Sequence, residues 1–493
     1  MTTYSENPAI EKAMQSVAAV VPKAEADPTR PVYHFRPPAN WMNDPNGTIY
    51  HNGVYQLFYQ HNPYGDDWGH MHWGHARSTD LVNWEHLSIA LWPSLELGED
   101  HCFSGCAWVN GDGEPTLVYT MVGQDRENPE QRFRPFEQWA AVGSADWMTW
   151  QKHPQNPILS LDTHGGPPFE GGWRDPFIFE AGGRTLLVLG GSYDDTASVA
   201  LYECTDGSLV NWTYKGSLFE QPRSELDFQE CPNFAKTTNP DGEEKWVLLT
   251  SPFKPVHYVV GTFDAESLQF TPETQGILDP GISQFTKEDG SPGISPNFYA
   301  TNILYDERCI LLGWVRGFEP GMGWNGCMAL PRELSVGADG HPRQTPIAEL
   351  QQLRGETYRV EDIALSETPH MLDVSGDTLE IEATFEVGVG IGLQVRRSDD
   401  GSRCVAIHYD GAELDVAGTK VAFALDDGEL LKLHVFIDKS VMEVFVNDGR
   451  ACVTRILDKA YADTAVDDLG VAVVGQGTAR ATNLHCWRLS SIY

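Results

Sequence analysis

The sequence predicts an all-β protein, a five-bladed β-propeller over residues 31–335 followed by a C-terminal β-sandwich over residues 351–493. Three observations predict it: an internal repeat, a later switch to two-residue alternation, and the lack of helical heptads or a nucleotide-binding glycine pattern. The repeat is Arg77-Ser78-Thr79-Asp80-Leu81-Val82-Asn83-Trp84, which returns as Gly143-Ser144-Ala145-Asp146-Trp147-Met148-Thr149-Trp150 and within Glu203–Trp212. A fainter copy lies in Thr262–Phe270. The aromatic ends Trp84, Trp150, Trp212 and Phe270 are 66, 62 and 58 residues apart. A spacing near 60 suits one four-stranded blade with its turns.

Taken in chain order, residues 1–30 form an N-terminal arm in which Pro8 to Val21 reads as a short amphipathic helix. This helix is expected to pack on a domain or on a partner subunit. Strand runs such as Thr185-Leu186-Leu187-Val188-Leu189 and Lys245-Trp246-Val247-Leu248-Leu249, punctuated by Gly and Asp, fill the spaces between the repeat copies. Gly337-Ala338-Asp339-Gly340 and His341-Pro342 mark a break, so residues 336–350 read as a linker. Beyond it Leu379, Ile381, Ala383 and Phe385 alternate with Glu380, Glu382 and Thr384, and Leu431, Leu433, Val435 and Ile437 do the same. Val441–Val446 then meets the turn Asn447-Asp448-Gly449, which completes the case for a sandwich.

Composition excludes several function classes. Seventy acidic against 34 basic residues give a formal charge of −36, which repels nucleic acid and anionic membranes, and no basic run offsets it. The same charge argues mildly against a phosphorylated substrate. Only 12 of the basic residues are Lys, a bias that hints at salt tolerance. No apolar run approaches about 18 residues, and Glu6, Glu11 and Lys12 interrupt any secretory leader, so a cytoplasmic location is expected. Nine cysteines with no Cys-x-x-Cys pair fit reduced thiols. Fifteen Trp residues supply faces on which sugar rings can stack, although aromatics also fill cores.

The segment richest in chemistry is Trp41-Met42-Asn43-Asp44-Pro45-Asn46-Gly47, where turn residues fix one carboxylate just ahead of a strand. Downstream stand Trp173-Arg174-Asp175-Pro176 and Glu230-Cys231-Pro232, with supporting stretches Phe103-Ser104-Gly105, Phe298-Tyr299-Ala300, Pro331-Arg332-Glu333-Leu334 and Met442-Glu443-Val444-Phe445. In content and order these blocks resemble glycoside hydrolase family 32, the β-fructofuranosidases, invertases, inulinases and levanases. The resemblance spans roughly residues 31–490 and carries a five-bladed propeller of its own.

The resemblance implies a role for each acid. Asp44 would be the nucleophile that forms a fructosyl-enzyme intermediate, Glu230 the acid and then base, and Asp175 the stabiliser of an oxocarbenium-like transition state. Arg174 would bind beside Asp175. Asn43, Gln60, Trp68, Phe103 and Ser104 would line the pocket for a terminal fructose, with amides and hydroxyls suited to sugar hydroxyls. Cys231 reads as a packing or tuning residue, since no His partner is evident nearby. Two positions depart from the commonest family pattern, Asn297 before Phe298 and Trp173 before Arg174, and both could alter the leaving-group side. The stretch from Gly317 to Asn325 is expected at the pocket rim.

No cofactor and no metal is expected. His70, His72 and His75 invite a metal, yet on a strand His75 faces away from the other two. The expected partner is a small carbohydrate, sucrose or a fructo-oligosaccharide, with no nucleic acid and no membrane; a homo-oligomer stays open. The resulting expectation is a retaining, exo-acting β-fructofuranosidase. A fructosyltransferase, or a carbohydrate-binding propeller without activity, are the alternatives. Preference between inulin-type and levan-type chains is not written in these motifs.

Overall fold

The computed structural model describes residues 7–128, 130–286, 291–386, 390–457 and 466–493. The first six residues of the arm lie outside the described residues. Within the described residues, five successive antiparallel sheets of four principal strands run from Asn40 to Pro346. Their first strands are Asn40–His51, His101–Val109, Arg174–Ala181, Asn233–Thr238 and Phe298–Tyr305. Each first strand lies against the next, and the fifth returns to the first, which closes the ring of a five-bladed propeller.

The repeat explains itself in this ring, because each copy joins the third strand of a blade to its fourth. Asp80 accepts from the amides of Val82 (3.0 Å) and Asn83 (2.8 Å), Asp206 from Ser208 (2.9 Å) and Asp264 from Glu266 (2.9 Å). Leu81, Trp147, Leu209 and Leu268, at matching places in the four copies, all take positive φ. The aspartate satisfies backbone donors that this tight reversal would leave unpaired.

Blade five departs from the pattern and corrects a boundary. Residues 336–350, expected as a linker, contain Pro342–Pro346, the outer strand of blade five, paired with Arg332–Val336. Gly337 to Gly340 is the hairpin turn between them, closed by Gly337 N donating to His341 O at 2.8 Å. Turn residues punctuate hairpins and domain ends alike, so the sequence misplaced this one.

The sandwich is two six-stranded sheets. Leu379, Ile381, Ala383 and Phe385 join Leu431, Leu433, Val435 and Ile437 in its core, facing Ile391, Leu393 and Val395. The other face of that first sheet is covered by the propeller: Phe436, Phe445, Cys452 and Trp487 share one apolar cluster with Tyr33, Phe35, Met42 and Leu57. The N-terminal helix spans Pro8–Glu25, longer than expected, with Asn7 accepting from Ala9 N at its start. Ile10 and Ala13 pack on Ile89, and Val17 and Ala24 on Ala39 and Trp324, so the arm braces its own propeller. No helix among the described residues is long and apolar enough to cross a membrane.

Candidate active site

Inner strands of a propeller converge on one mouth, and here the strand starts are irregular in a way that turns side chains toward it. The first strand slips register between Met42 and Pro45, and the His101–Val109 strand between Cys102 and Gly105. Such bulges re-aim side chains next to functional sites. Gly105 is obligatory at the second, since a Cβ there would sit 2.1 Å from Val118 O. Asp175 and Cys231 take φ of +64° and +47°, a strained choice for residues other than Gly. Asp175 is held in it by Thr120 Oγ1, which accepts from its amide at 2.9 Å.

These bends bring the three sequence-predicted acids into one connected cluster. Asp44 is buried, with Ser104 Oγ donating to Oδ2, Asn43 Nδ2 donating to Oδ1 at 3.1 Å, and Gln60 Nε2 reaching Oδ2 at 3.4 Å. Asn43 is itself oriented by Trp41 Nε1 (2.8 Å) and by Gln60 Oε1 (2.9 Å). The Cys231 thiol lies 3.5 Å from Asp44 Oδ2 and 3.6 Å from Asp175 Oδ2, while its amide donates to Asp175 at 3.0 Å. Arg174 bridges onward, with Nε 3.4 Å from Asp175 and Nη2 2.6 Å from Glu230 Oε1.

The far oxygen of Glu230 meets a residue that motif matching left without a role. Tyr299 Oη lies 2.6 Å from Glu230 Oε2 and 2.6 Å from Ser251 O, and accepts from Phe253 N at 2.8 Å. One phenol proton cannot serve both acceptors, so a proton on Glu230 completes the set in one state and the phenol turns to Glu230 in the other. The signal was present, since Tyr299 belongs to the Phe298-Tyr299-Ala300 stretch.

Electrostatics separate the acids. Burial raises Asp44 above the usual carboxylate range and Glu230 adds to this, while hydrogen bonds from Ser104, Asn43 and Cys231 work against it. Burial pushes Asp175 up to about 7, opposed by Arg174 and reinforced by Glu230 and Asp44. Burial and the neighbouring carboxylates push the Cys231 thiol well above its ordinary value, which disfavours the thiolate.

Trp68 and Phe103 stand one layer out. Trp68 is 37% exposed and packs edge-to-face on Phe103 at 6.1 Å, with Arg132 over its ring at 4.8 Å. In the stretch from Gly317 to Asn325, Trp324–Asn325 pairs in parallel with Asn40–Trp41, and Asp66 accepts from Gly321 N (2.9 Å) and Gly323 N (2.7 Å). Asn297 and Trp173 are committed elsewhere. Asn297 bonds Ser283 (2.9 Å), Arg316 O (3.1 Å) and Arg455 (3.1 Å), and Trp173 is fully buried in the large propeller core. His72 Nδ1 faces His70 O at 2.5 Å and His75 Nε2 faces Gln56 at 2.8 Å, so these rings are tied to separate protein partners.

A propeller that gathers an Asp, an Asp and a Glu around one Arg at its mouth, backed by a sandwich, defines a glycoside hydrolase. Comparison with known proteins names the family. The model of the glycosyl hydrolases family 32 N-terminal domain matches residues 34–346, and that of the family 32 C-terminal domain matches residues 349–488. The chain belongs to glycoside hydrolase family 32. It is 31% identical to a levanase of Bacillus subtilis over 87% of this chain and 66% of the levanase. It is also 31% identical to a sucrose-6-phosphate hydrolase of Escherichia coli, over 89% of this chain and 91% of that enzyme. Among solved structures, a β-fructofuranosidase of Bombyx mori superposes with a TM-score of 0.80 at 26% identity, covering 99% of both chains.

Proposed function

We propose that the protein is a retaining, exo-acting β-fructofuranosidase that releases terminal fructose from sucrose and short fructans. The observation that carries this reading is the division of labour around Arg174. Asp44 is buried among donors that hold an anion in a fixed direction, whereas Glu230, on the other side of Arg174, keeps a hydrogen-bond partner suited to either of its protonation states.

In the first half-reaction the Asp44 carboxylate attacks the anomeric carbon of the fructosyl unit. The glycosidic oxygen leaves with the proton of Glu230, and the Tyr299 phenol then turns its proton from Ser251 O to the new carboxylate. Asp175, aimed by Cys231 N and Thr120, accepts sugar hydroxyls whose bonds strengthen as positive charge develops on the ring. In the second half-reaction Glu230 takes a proton from water, the hydroxide displaces Asp44, and fructose of the starting configuration leaves. Asn43, Gln60 and Ser104 hold Asp44 at the floor, while Trp68 and Phe103 wall the entrance. Relatives described as a levanase, a raffinose invertase and sucrose-6-phosphate hydrolases support the fructosyl group as the common element of the substrate. The nine free thiols support a reducing compartment.

The test is free glucose and free fructose released from sucrose over time, with Asp44→Asn as the blank. Equal amounts of both sugars, lost in the variant, are expected. Glucose in excess of fructose would replace hydrolysis with transfer to a sugar acceptor, and tight binding without release would make the chain a binding protein.

A further inference from the structure

Two side chains beside the acid are arranged in ways that folding alone does not account for. Phe253 is 57% exposed and adopts φ of +58°. A left-handed backbone under a bulky side chain is strained, and such strain gathers at functional sites. Its amide donates to Tyr299 Oη at 2.8 Å, which fixes the ring relative to Glu230. Beneath it Phe228 stacks at 6.4 Å, and the Arg174 guanidinium packs on Phe228 at 4.2 Å. The exposed ring therefore rests on a rigid support.

Arg316 is the second. Its guanidinium lies 5.0 Å from the Tyr299 ring centre and 4.8 Å from that of Trp314. No carboxylate among the described residues forms an ion pair with it, in a chain where acidic residues outnumber basic ones 70 to 34. Its donors are held near the acid by stacking and remain available to a ligand.

We propose that Phe253 and Arg316 hold the sugar that leaves, Phe253 as the stacking face and Arg316 as the hydrogen-bond donor. The inference rests on the reading of Glu230 as the acid. An acid that protonates the glycosidic oxygen stands on the leaving-group side of the broken bond, away from Asp44, and both residues reach that side through Tyr299. The ligand class is an uncharged hexosyl unit, whose C–H face suits an aromatic ring and whose hydroxyls accept from a guanidinium.

The experiment compares sucrose with methyl β-D-fructofuranoside, which carries the same fructosyl group and no leaving sugar. Phe253→Gly, which tolerates the positive φ, and Arg316→Ala should each raise KM for sucrose about ten-fold or more while changing kcat/KM for the methyl fructoside by no more than about two-fold. Phe253→Tyr should restore sucrose cleavage, and inhibition by fructose should be unchanged in every variant. Matched thermal unfolding checks the fold. Parallel losses on both substrates would overturn the proposal, because the residues would then act through Tyr299 and Glu230, and so would no loss on either. A wild-type protein that cleaves neither substrate would instead overturn the hydrolase reading.

Discussion

Two clusters in this molecule hold three carboxylates each, and they differ in the cations and backbone donors that face them. Between propeller and sandwich, Asp279, Asp438 and Glu443 meet two cationic partners, His34 and Arg332. Asp438 also accepts from the amides of Val32 (2.7 Å), Tyr33 (2.8 Å) and His34 (2.9 Å), and Glu443 from Leu330 N at 2.7 Å. In the candidate active site Asp44, Asp175 and Glu230 have Arg174 as their one ion-pair partner among the described residues, through Asp175 and Glu230. Burial pushes Glu443 up, yet Arg332 and His34 hold it below its ordinary value, whereas Asp44 and Asp175 end above theirs. Burial sets the cost in both places, and the supply of cations and backbone donors decides the sign. The interdomain cluster, richer in cations and backbone donors, joins two domains; the candidate site holds fewer cations, and its Asp44 and Asp175 stay raised.

The largest effect should come from breaking the poorer cluster at its centre. Asp44→Asn should lower kcat for sucrose by at least about 10³-fold, since in the mechanism proposed above Asp44 is the nucleophile and its loss removes the covalent path. Stability should move the other way with pH. A carboxyl raised in the folded state contributes stability at low pH that is lost as pH rises through its folded value. The Tm difference between Asp44→Asn and wild type should therefore shift in favour of the variant as pH rises from the ordinary carboxylate range upward, and a constant difference would contradict the raised Asp44.

Breaking the richer cluster should do the reverse. His34→Ala leaves Asp438 and Glu443 buried without their shared cation, and about 3–5 kcal/mol of stability should go in denaturant unfolding. Turnover per folded molecule should change little, because His34 touches none of the three catalytic candidates. The same residue gives the lock a pH limit. Burial alone would lower His34, but the hydrogen bonds its ring donates to Asp438 and Glu443 outweigh it and raise it to about 9. This stabilisation is full below the ordinary value of 6.5, declines as pH rises, and is lost once pH passes about 9. Wild-type Tm should fall across that window more steeply than that of His34→Ala.

The two clusters were unequally legible in the sequence. Asp44, Asp175 and Glu230 sit in contiguous blocks with their own turn residues, so motif and local bend coincide within a few positions. Asn43, Gln60 and Ser104 were legible for the same reason. The lock joins His34 to Asp438 across 404 residues, and nothing near His34 announces a partner on the other domain. Blade architecture was readable because an aspartate-capped turn recurs in four blades. Blade five lacks that turn, and its outer strand passed for a linker. Tyr299 was in view within a matched stretch, but its role depends on Glu230, 69 positions away. Phe253 and Arg316 follow no motif and become visible only as an exposed ring and a cation without a carboxylate partner among the described residues.

The finest comparison lies within the active site, between Asp44 and the donors that partly offset its burial. Ser104 Oγ donates to Asp44 Oδ2 and accepts from Gln60 Nε2 at 2.5 Å, so the hydroxyl proton is directed at the carboxylate. Such a bond favours the charged form and lowers the carboxyl's proton affinity. Ser104→Ala removes it while Asn43, Gln60 and Cys231 still face Asp44. Asp44 should then hold its proton to higher pH, and the acidic limb of kcat/KM should move to higher pH, because one hydrogen bond to the charged form is gone. At the alkaline end of that limb, where Asp44 is ionised in both proteins, the two rates should converge to within about ten-fold. A limb that stays in place while the whole profile drops would assign Ser104 to sugar binding alone, and the burial of Asp44 would then be offset by Asn43 and Cys231.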